Sequence, residues 1–374
     1  MFPHDFLWGV SSAAFQVEGA VDADGRGASI WDTFCAQPGR IRNGDNADVA
    51  ADHYHRYRED VGLIRDLGVD AYRFSIAWPR VQPTGSGPAN TAGLDFYDRL
   101  VDELLSTGIK PAVTLYHWDL PQELQDAGGW QSRDTAARLA EYAGLVAGRL
   151  GDRVHLWMPL NEPVVVTMFG HAVGLHAPGL ELGFGALPVA HHLLLGHGLA
   201  VQALRAAGVS GIGIASNHSP TWPLSDDPAD VAAAAGYDAL VNWLFADPIL
   251  RGEYPDPLLA AAMPDTVDDD LKVIAEPLDF FGINYYQPTL IGAPSPDDAA
   301  ESPVLEGARL PEGLPFTPHE LSGLPKTDFG WAVVPDGLRE IITTFHARYG
   351  EALPPVYVTE SGCSYHDVIT RDGQ

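Results

Sequence analysis

The sequence predicts an α/β fold of the (β/α)8, or TIM-barrel, class, and three observations carry that reading. Short apolar runs rich in strand-forming residues recur along the chain. Amphipathic helical patterns separate them, with no cluster of strands, as expected for a parallel sheet built through helical crossovers. Polar residues collect at the C-terminal ends of these runs, the face on which a barrel assembles its active site.

The strand-like runs, in order, are FLWGVSSA (6–13), DAYRFSIAW (70–78), KPAVTLYHW (110–118), VHLWMPLNE (154–162), SGIGIASN (210–217), LDFFGINYY (278–286) and PPVYVTES (354–361). Most are apolar on both faces, as strands covered by helices on one side and a packed interior on the other must be. The clearest helical patterns cover 53–68, 91–108, 133–151 and 336–350. For 91–108, Thr91 or Asn90 is a suitable N-cap and Gly108 a stop. The stretch 287–334 reads as one long Pro- and Gly-rich loop over the barrel mouth, a substrate cover or a disordered segment. The Gly25–Gly27 loop lacks the strand–helix frame of a dinucleotide-binding turn.

Composition bounds the partners. The 374 residues include 50 acidic and 22 basic side chains, a formal charge of −28. Nucleic acid and anionic membrane are therefore not expected. No apolar run reads as membrane-spanning and the N-terminus does not read as a signal peptide, so a cytoplasmic location is expected. Cys35 and Cys363, the two cysteines, suggest neither a disulfide framework nor a Cys-rich metal site.

The polar strand ends are Arg73, His117, Asn161-Glu162, Asn217, Asn284 to Tyr286, and Glu360. Glu162 and Glu360 end the fourth and seventh runs. Two carboxylates on one barrel face suit glycosidic cleavage: one keeps its proton for the leaving oxygen while the other stays ionised. Pro163 cannot continue the strand ladder and is expected to turn the chain outward after Glu162. Taken singly, Arg73 serves equally as a structural ion pair, His117 as a core histidine and Trp118 as packing.

The order of motifs narrows this. FLWGVSSAAFQVEGA, ADHYHRYREDV, YRFSIAWPR, TLYHWDLPQ, NEP followed by GLHAPG, FFGINYY, DFGWAVVPDGL and VYVTESG span essentially the whole chain. Together they resemble glycoside hydrolase family 1, the β-glucosidase family of retaining enzymes. The resemblance implies one catalytic domain over 1–374, with Glu162 as general acid/base and Glu360 as nucleophile. It implies Asn161 on the sugar 2-hydroxyl, and Gln16, His117 and Trp118 on the other hydroxyls and the ring. It also implies Arg73 and Tyr286 beside the nucleophile, with Asn284 on the same wall. Metal and cofactor are not implied.

Two departures accompany the resemblance. Ser361 stands where the family usually has Asn. Family members continue past the point where this sequence stops, with an eighth strand and helix, so the barrel is expected to lack them and to expose strand edges through which copies form a homo-oligomer. Expected substrates are small β-glycosides or oligosaccharides: β-glucosides, and also galactosides or fucosides. The alternatives are a 6-phospho-β-glycosidase, a catalytically weak or silent sugar-binding barrel, and a metal-dependent hydrolase using His53, His55 or His191, His192 and His197.

Overall fold

The computed structural model describes residues 2–368 except 4–5, 296–309, 311–312 and 367. Its strands are β1 (Gly9–Ser11), β2 (Ala71–Ser75), β3 (Lys110–Tyr116), β4 (Leu156–Leu160), β5 (Ala215–Asn217), β6 (Thr221–Pro223), β7 (Phe281–Asn284), β8 (Thr289–Gly292), β9 (Thr317–His319) and β10 (Val356–Glu360). Each predicted run contains one strand of the central array. β1 to β4 pair in sequence order, all parallel. Parallel bridges Trp157–Ile212 and Asn161–Ala215 carry the array from β4 to β5. β7 and then β10 follow, again parallel. Among the described residues the array is not closed by hydrogen bonds, and β1 and β10 are its two ends.

The helices lie where the apolar periodicity placed them, at His53–Leu67, Thr91–Ser106, Asp134–Leu150 and Pro335–Tyr349. Their apolar stripes close over the outer face of the array. The Thr91–Ser106 helix buries Leu94, Tyr97, Leu100, Val101 and Leu104 in this way. Its N-terminus departs from expectation. Asn90 occupies the cap position, but its side-chain amide instead donates to the carbonyls of Asp24 (2.7 Å) and Arg80 (3.0 Å). Gly108 ends the helix as expected, with φ of +82°.

Two further expectations change. The 287–334 stretch is not one uninterrupted loop: β8 pairs with β6 in parallel and with β9 antiparallel, a small second sheet. Part of that stretch lies outside the described residues. The helical segment Gly183–Ala206 is 24 residues long and apolar enough to cross a membrane, contrary to the sequence reading. Within this fold 78% of its apolar window is buried, and it packs on the Asp134–Leu150 helix. Gly27 serves packing: an added Cβ would lie 2.0 Å from the Pro83 carbonyl oxygen.

A buried ion pair clamps the first two strand ends together. Arg80, fully buried just after β2, donates to Glu18, just after β1, at 3.0 Å. The Tyr97 hydroxyl donates to the other Glu18 oxygen at 2.6 Å and accepts from the Ala77 N–H at 2.8 Å. Breaking a buried pair leaves a charge without a partner, which costs about 3–5 kcal/mol. Arg80→Ala is therefore expected to lower unfolding free energy by about that amount in urea titrations, and a loss below about 1 kcal/mol, the range of surface pairs, would contradict the clamp.

Candidate active site

Arg73, on β2, reaches across the open end of the array. Its Nη1 donates to Glu360 Oε1 at 2.5 Å, its Nη2 to Asn161 Oδ1 at 2.6 Å and its Nε to Thr114 Oγ1 at 3.0 Å. Nη1 also meets the Thr359 carbonyl oxygen at 3.2 Å. A guanidinium has donors only, so every group it touches must accept. The oxygen of the Asn161 amide is thereby fixed toward Arg73, and its NH2 lies 3.2 Å from His117 Nε2. That ring nitrogen accepts, so His117 is neutral here. Burial and then the charge of Arg73 hold its pKa down to about 3, in spite of the opposing charge of Glu360.

Glu360 ends β10. The Tyr286 hydroxyl donates to its second oxygen at 2.5 Å. Burial pushes this carboxyl up, but the charge of Arg73 and the hydrogen bonds from Tyr286 and Arg73 more than offset it, leaving the pKa below the ordinary glutamate value. Tyr286 is pushed the other way, first by burial and then by the two carboxylates, so it remains a donor.

Glu162 follows β4 and is only 4% exposed. Its Oε1 accepts from Asn284 Nδ2 at 2.6 Å and from Asn217 Nδ2 at 3.4 Å. Burial and then the charge of Glu360 push its pKa up to about 7, against the lowering effect of both amides and Arg73. Two glutamates on one face are thus separated by their surroundings, one toward the protonated and one toward the ionised form.

The turn after β4 lies elsewhere than expected. Glu162 itself is left-handed, with φ of +46°, and Pro163 opens the following helical turn. The Glu162 N–H donates to the Ala215 carbonyl at 2.8 Å, which anchors the reversal to β5. Trp118 is left-handed as well, with φ of +79°. Its indole N–H donates to the Asn161 carbonyl at 3.0 Å, tying the β3 end to the β4 end. Such conformations hold only where neighbours over-determine them.

Among the residues singled out from sequence, Arg73, His117, Trp118, Asn161, Glu162, Asn284, Tyr286 and Glu360 form one linked cluster. Gln16 lies on the turn after β1 with an exposed side chain, and among the described residues no hydrogen bond joins that side chain to the cluster. Thr114 and Thr359 belong to the cluster and were not anticipated. The histidines of the metal alternative sit on helices; four have protein partners, while neither ring nitrogen of the buried His197 has a hydrogen-bond partner among the described residues. His53 meets Asp60 and His55 meets Asp52, each at 2.6 Å, while His191 meets Asp270 at 2.9 Å and His192 the Trp130 carbonyl at 2.9 Å.

Neutralising Glu360 removes the like charge beside Glu162 but not its burial. In Glu360→Gln the Glu162 pKa is expected to fall while staying above the ordinary glutamate value, as read by infrared or carbon-13 titration. An unchanged pKa would show the two carboxyls to be uncoupled.

The model for glycosyl hydrolase family 1 matches residues 1–374. The chain is 42% identical to β-glucosidase A of Acetivibrio thermocellus, over 100% of this chain and 81% of that protein. It is 43% identical to a bifunctional β-D-glucosidase/β-D-fucosidase of Bifidobacterium breve, over 99% of this chain and 80% of the other. A solved family 1 β-glucosidase of Thermotoga maritima in complex with isofagomine lactam is similar with a TM-score of 0.91 and 43% identity, covering 100% of this chain and 81% of that one.

Proposed function

The chain belongs to glycosyl hydrolase family 1, and we propose that it is a retaining β-glycosidase acting on terminal β-D-glucosides, with Glu162 as acid/base and Glu360 as nucleophile. The observation that carries the residue assignment is the opposite electrostatic setting of the two carboxyls. One is buried against amide donors beside a like charge; the other is clamped by a guanidinium and a phenol. The names of the relatives, β-glucosidase and β-glucosidase/β-fucosidase, favour plain sugars over phosphorylated ones.

The reaction follows from these settings. Glu360, ionised, attacks the anomeric carbon as the bond to the leaving oxygen breaks, and Glu162 delivers its proton to that oxygen. In the second step Glu162, now ionised, takes a proton from water as the water oxygen attacks the same carbon and releases Glu360. Two inversions leave the β configuration. Asn161, held by Arg73 and His117, is placed to meet the 2-hydroxyl, while Gln16, His117 and Asn284 offer polar groups to the remaining hydroxyls and Trp118 an apolar face to the ring.

Hydrolysis requires Glu360 without its proton and Glu162 with one. The rate against pH is therefore expected to be a bell, its acid limb below the ordinary glutamate range and its basic limb near 7. On a chromogenic β-glucoside, Glu360→Gly is expected to abolish turnover. Glu162→Ala should lose roughly 10²–10⁴-fold on substrates with poor leaving groups, retain the first step on activated aryl glycosides, and yield β-glycosyl azide when azide is added. Formation of the α-azide by Glu162→Ala would overturn the assignment.

A further inference from the structure

The pairing of β10 with β7 is irregular beside Glu360. Val358 pairs with Ile283 and Glu360 with Asn284, so Thr359 is an extra residue opposite none. Regular alternation would send the Thr359 and Glu360 side chains to opposite faces. A bulge removes that constraint. Here both side chains reach the same cluster: Glu360 meets Arg73 and Tyr286, and the Thr359 hydroxyl meets Asn284 Oδ1 at 2.6 Å.

Space for this is made by Gly282. A Cβ there would lie 2.6 Å from the Thr359 methyl, 2.9 Å from its hydroxyl and 2.2 Å from the Ile214 carbonyl oxygen. Thr359 therefore lies directly over the backbone of β7, two residues before Asn284.

The direction of each hydrogen bond is determined. Arg73 only donates, so the Asn161 atom it contacts is the amide oxygen. That oxygen also faces Asn284 at 3.1 Å, so Asn284 presents its NH2 there and, from the same nitrogen, to Glu162. The remaining Asn284 atom is its oxygen, fully buried, and the Thr359 hydroxyl donates to it.

We propose that Thr359 is a positioning residue for the acid/base: its hydroxyl, brought inward by the bulge, holds the Asn284 amide with the NH2 toward Glu162. The proposal rests on the role given to Glu162 above. Without that donor the Asn284 oxygen is buried unpaired, a costly state. The donor then within reach is the protonated Glu162 carboxyl, which the amide meets by turning over, giving up the 3.1 Å contact of its NH2 with the Asn161 oxygen. The amide thereby changes from stabilising ionised Glu162 to stabilising its protonated form. The other groups around Glu162, namely Glu360, Arg73, His117 and Tyr286 from β10, β2, the β3 end and the β7 end, and the Asn217 amide on β5, keep their places.

The test is the basic limb of kcat/KM against pH for Thr359→Val, which keeps the shape and removes the hydroxyl, with Thr359→Ser as the conservative replacement. Thr359→Val is expected to move the basic limb upward by on the order of one pH unit, and Thr359→Ser to return it to the wild-type position. Thr359→Ala, run in parallel with melting curves to establish folding, removes the same hydroxyl with less bulk and should shift the limb the same way. A structural role alone would depress activity evenly across pH. A folded Thr359→Val or Thr359→Ala whose basic limb coincides with that of the wild type overturns the proposal. The azide reaction of Glu162→Ala tests the underlying role separately, so the two ideas fail independently.

Discussion

The Arg73 guanidinium is the constraint on which the rest of the site depends. It offers donors and no acceptor, and it cannot lose its charge in a protein. Buried at 7% exposure, it settles what every neighbour must be. Glu360 opposite it must be ionised. Asn161 must turn its oxygen inward, which sends its NH2 to His117 and makes that ring accept. Asn284 then faces Asn161 and Glu162 with its NH2, a sense that the Thr359 hydroxyl holds from the other side of the amide. One side chain of fixed polarity thus orients two amides, an imidazole and a hydroxyl, groups that taken singly have no preferred sense. A lysine here would supply the charge without the planar fork that reaches two acceptors at once.

The backbone supplies what side-chain chemistry alone does not. In a regular parallel array, inward positions repeat every second residue, too sparse for a dense polar cluster. Three local departures raise that density at the C-terminal end of the array. Glu162 turns left-handed and aims a carboxyl inward next to Asn161. Trp118 does the same beside His117. The bulge in β10 lets Thr359 and Glu360 both reach the cluster. These irregularities lie toward the strand ends, so the regular part of the array still packs a large apolar core and a separate small cluster of Ala112, Met158, Ala215 and Phe280.

Much of this was legible in the sequence, because the signals that show there are periodic or chemical. Each strand of the central array lies inside a run recognised by its apolar β-branched content, and each predicted helix is present within a residue or two. Glu162, Glu360, Asn161 and Asn284 stood out as polar residues at or near the ends of apolar runs, whereas Arg73, read with them, is the middle residue of β2. What escaped depends on backbone geometry. Thr359 carried no signal of its own, since a bulge leaves no trace in alternation. Thr114 sits within a buried run, and threonine there reads as an ordinary β-former. The turn at Glu162 was assigned to Pro163, because proline is a visible breaker and a left-handed glutamate is not. The small β6–β8–β9 sheet was hidden because its strands are three or four residues long and two of them, β6 and β9, contain a proline.

In the proposed reaction the same contacts serve both steps, because the charge that sets them changes midway. With Glu360 free and ionised, its charge helps burial hold a proton on Glu162, the form needed to protonate the leaving oxygen. Once Glu360 is bonded to the sugar, that charge is gone while Arg73 keeps its own. The balance around Glu162 then tips toward ionisation: one raising influence has vanished, and the Arg73 charge and the Asn284 and Asn217 amides, all of which favour the carboxylate, remain. The group that had to be an acid becomes a base with no movement of the main chain. This requires the Asn284 amide to face Glu162 with its NH2 in both steps, since an amide free to turn over would follow the proton and resist the change. A site that cycles a proton through one carboxyl therefore needs its surrounding dipoles fixed, and here they are fixed from a single cation outward.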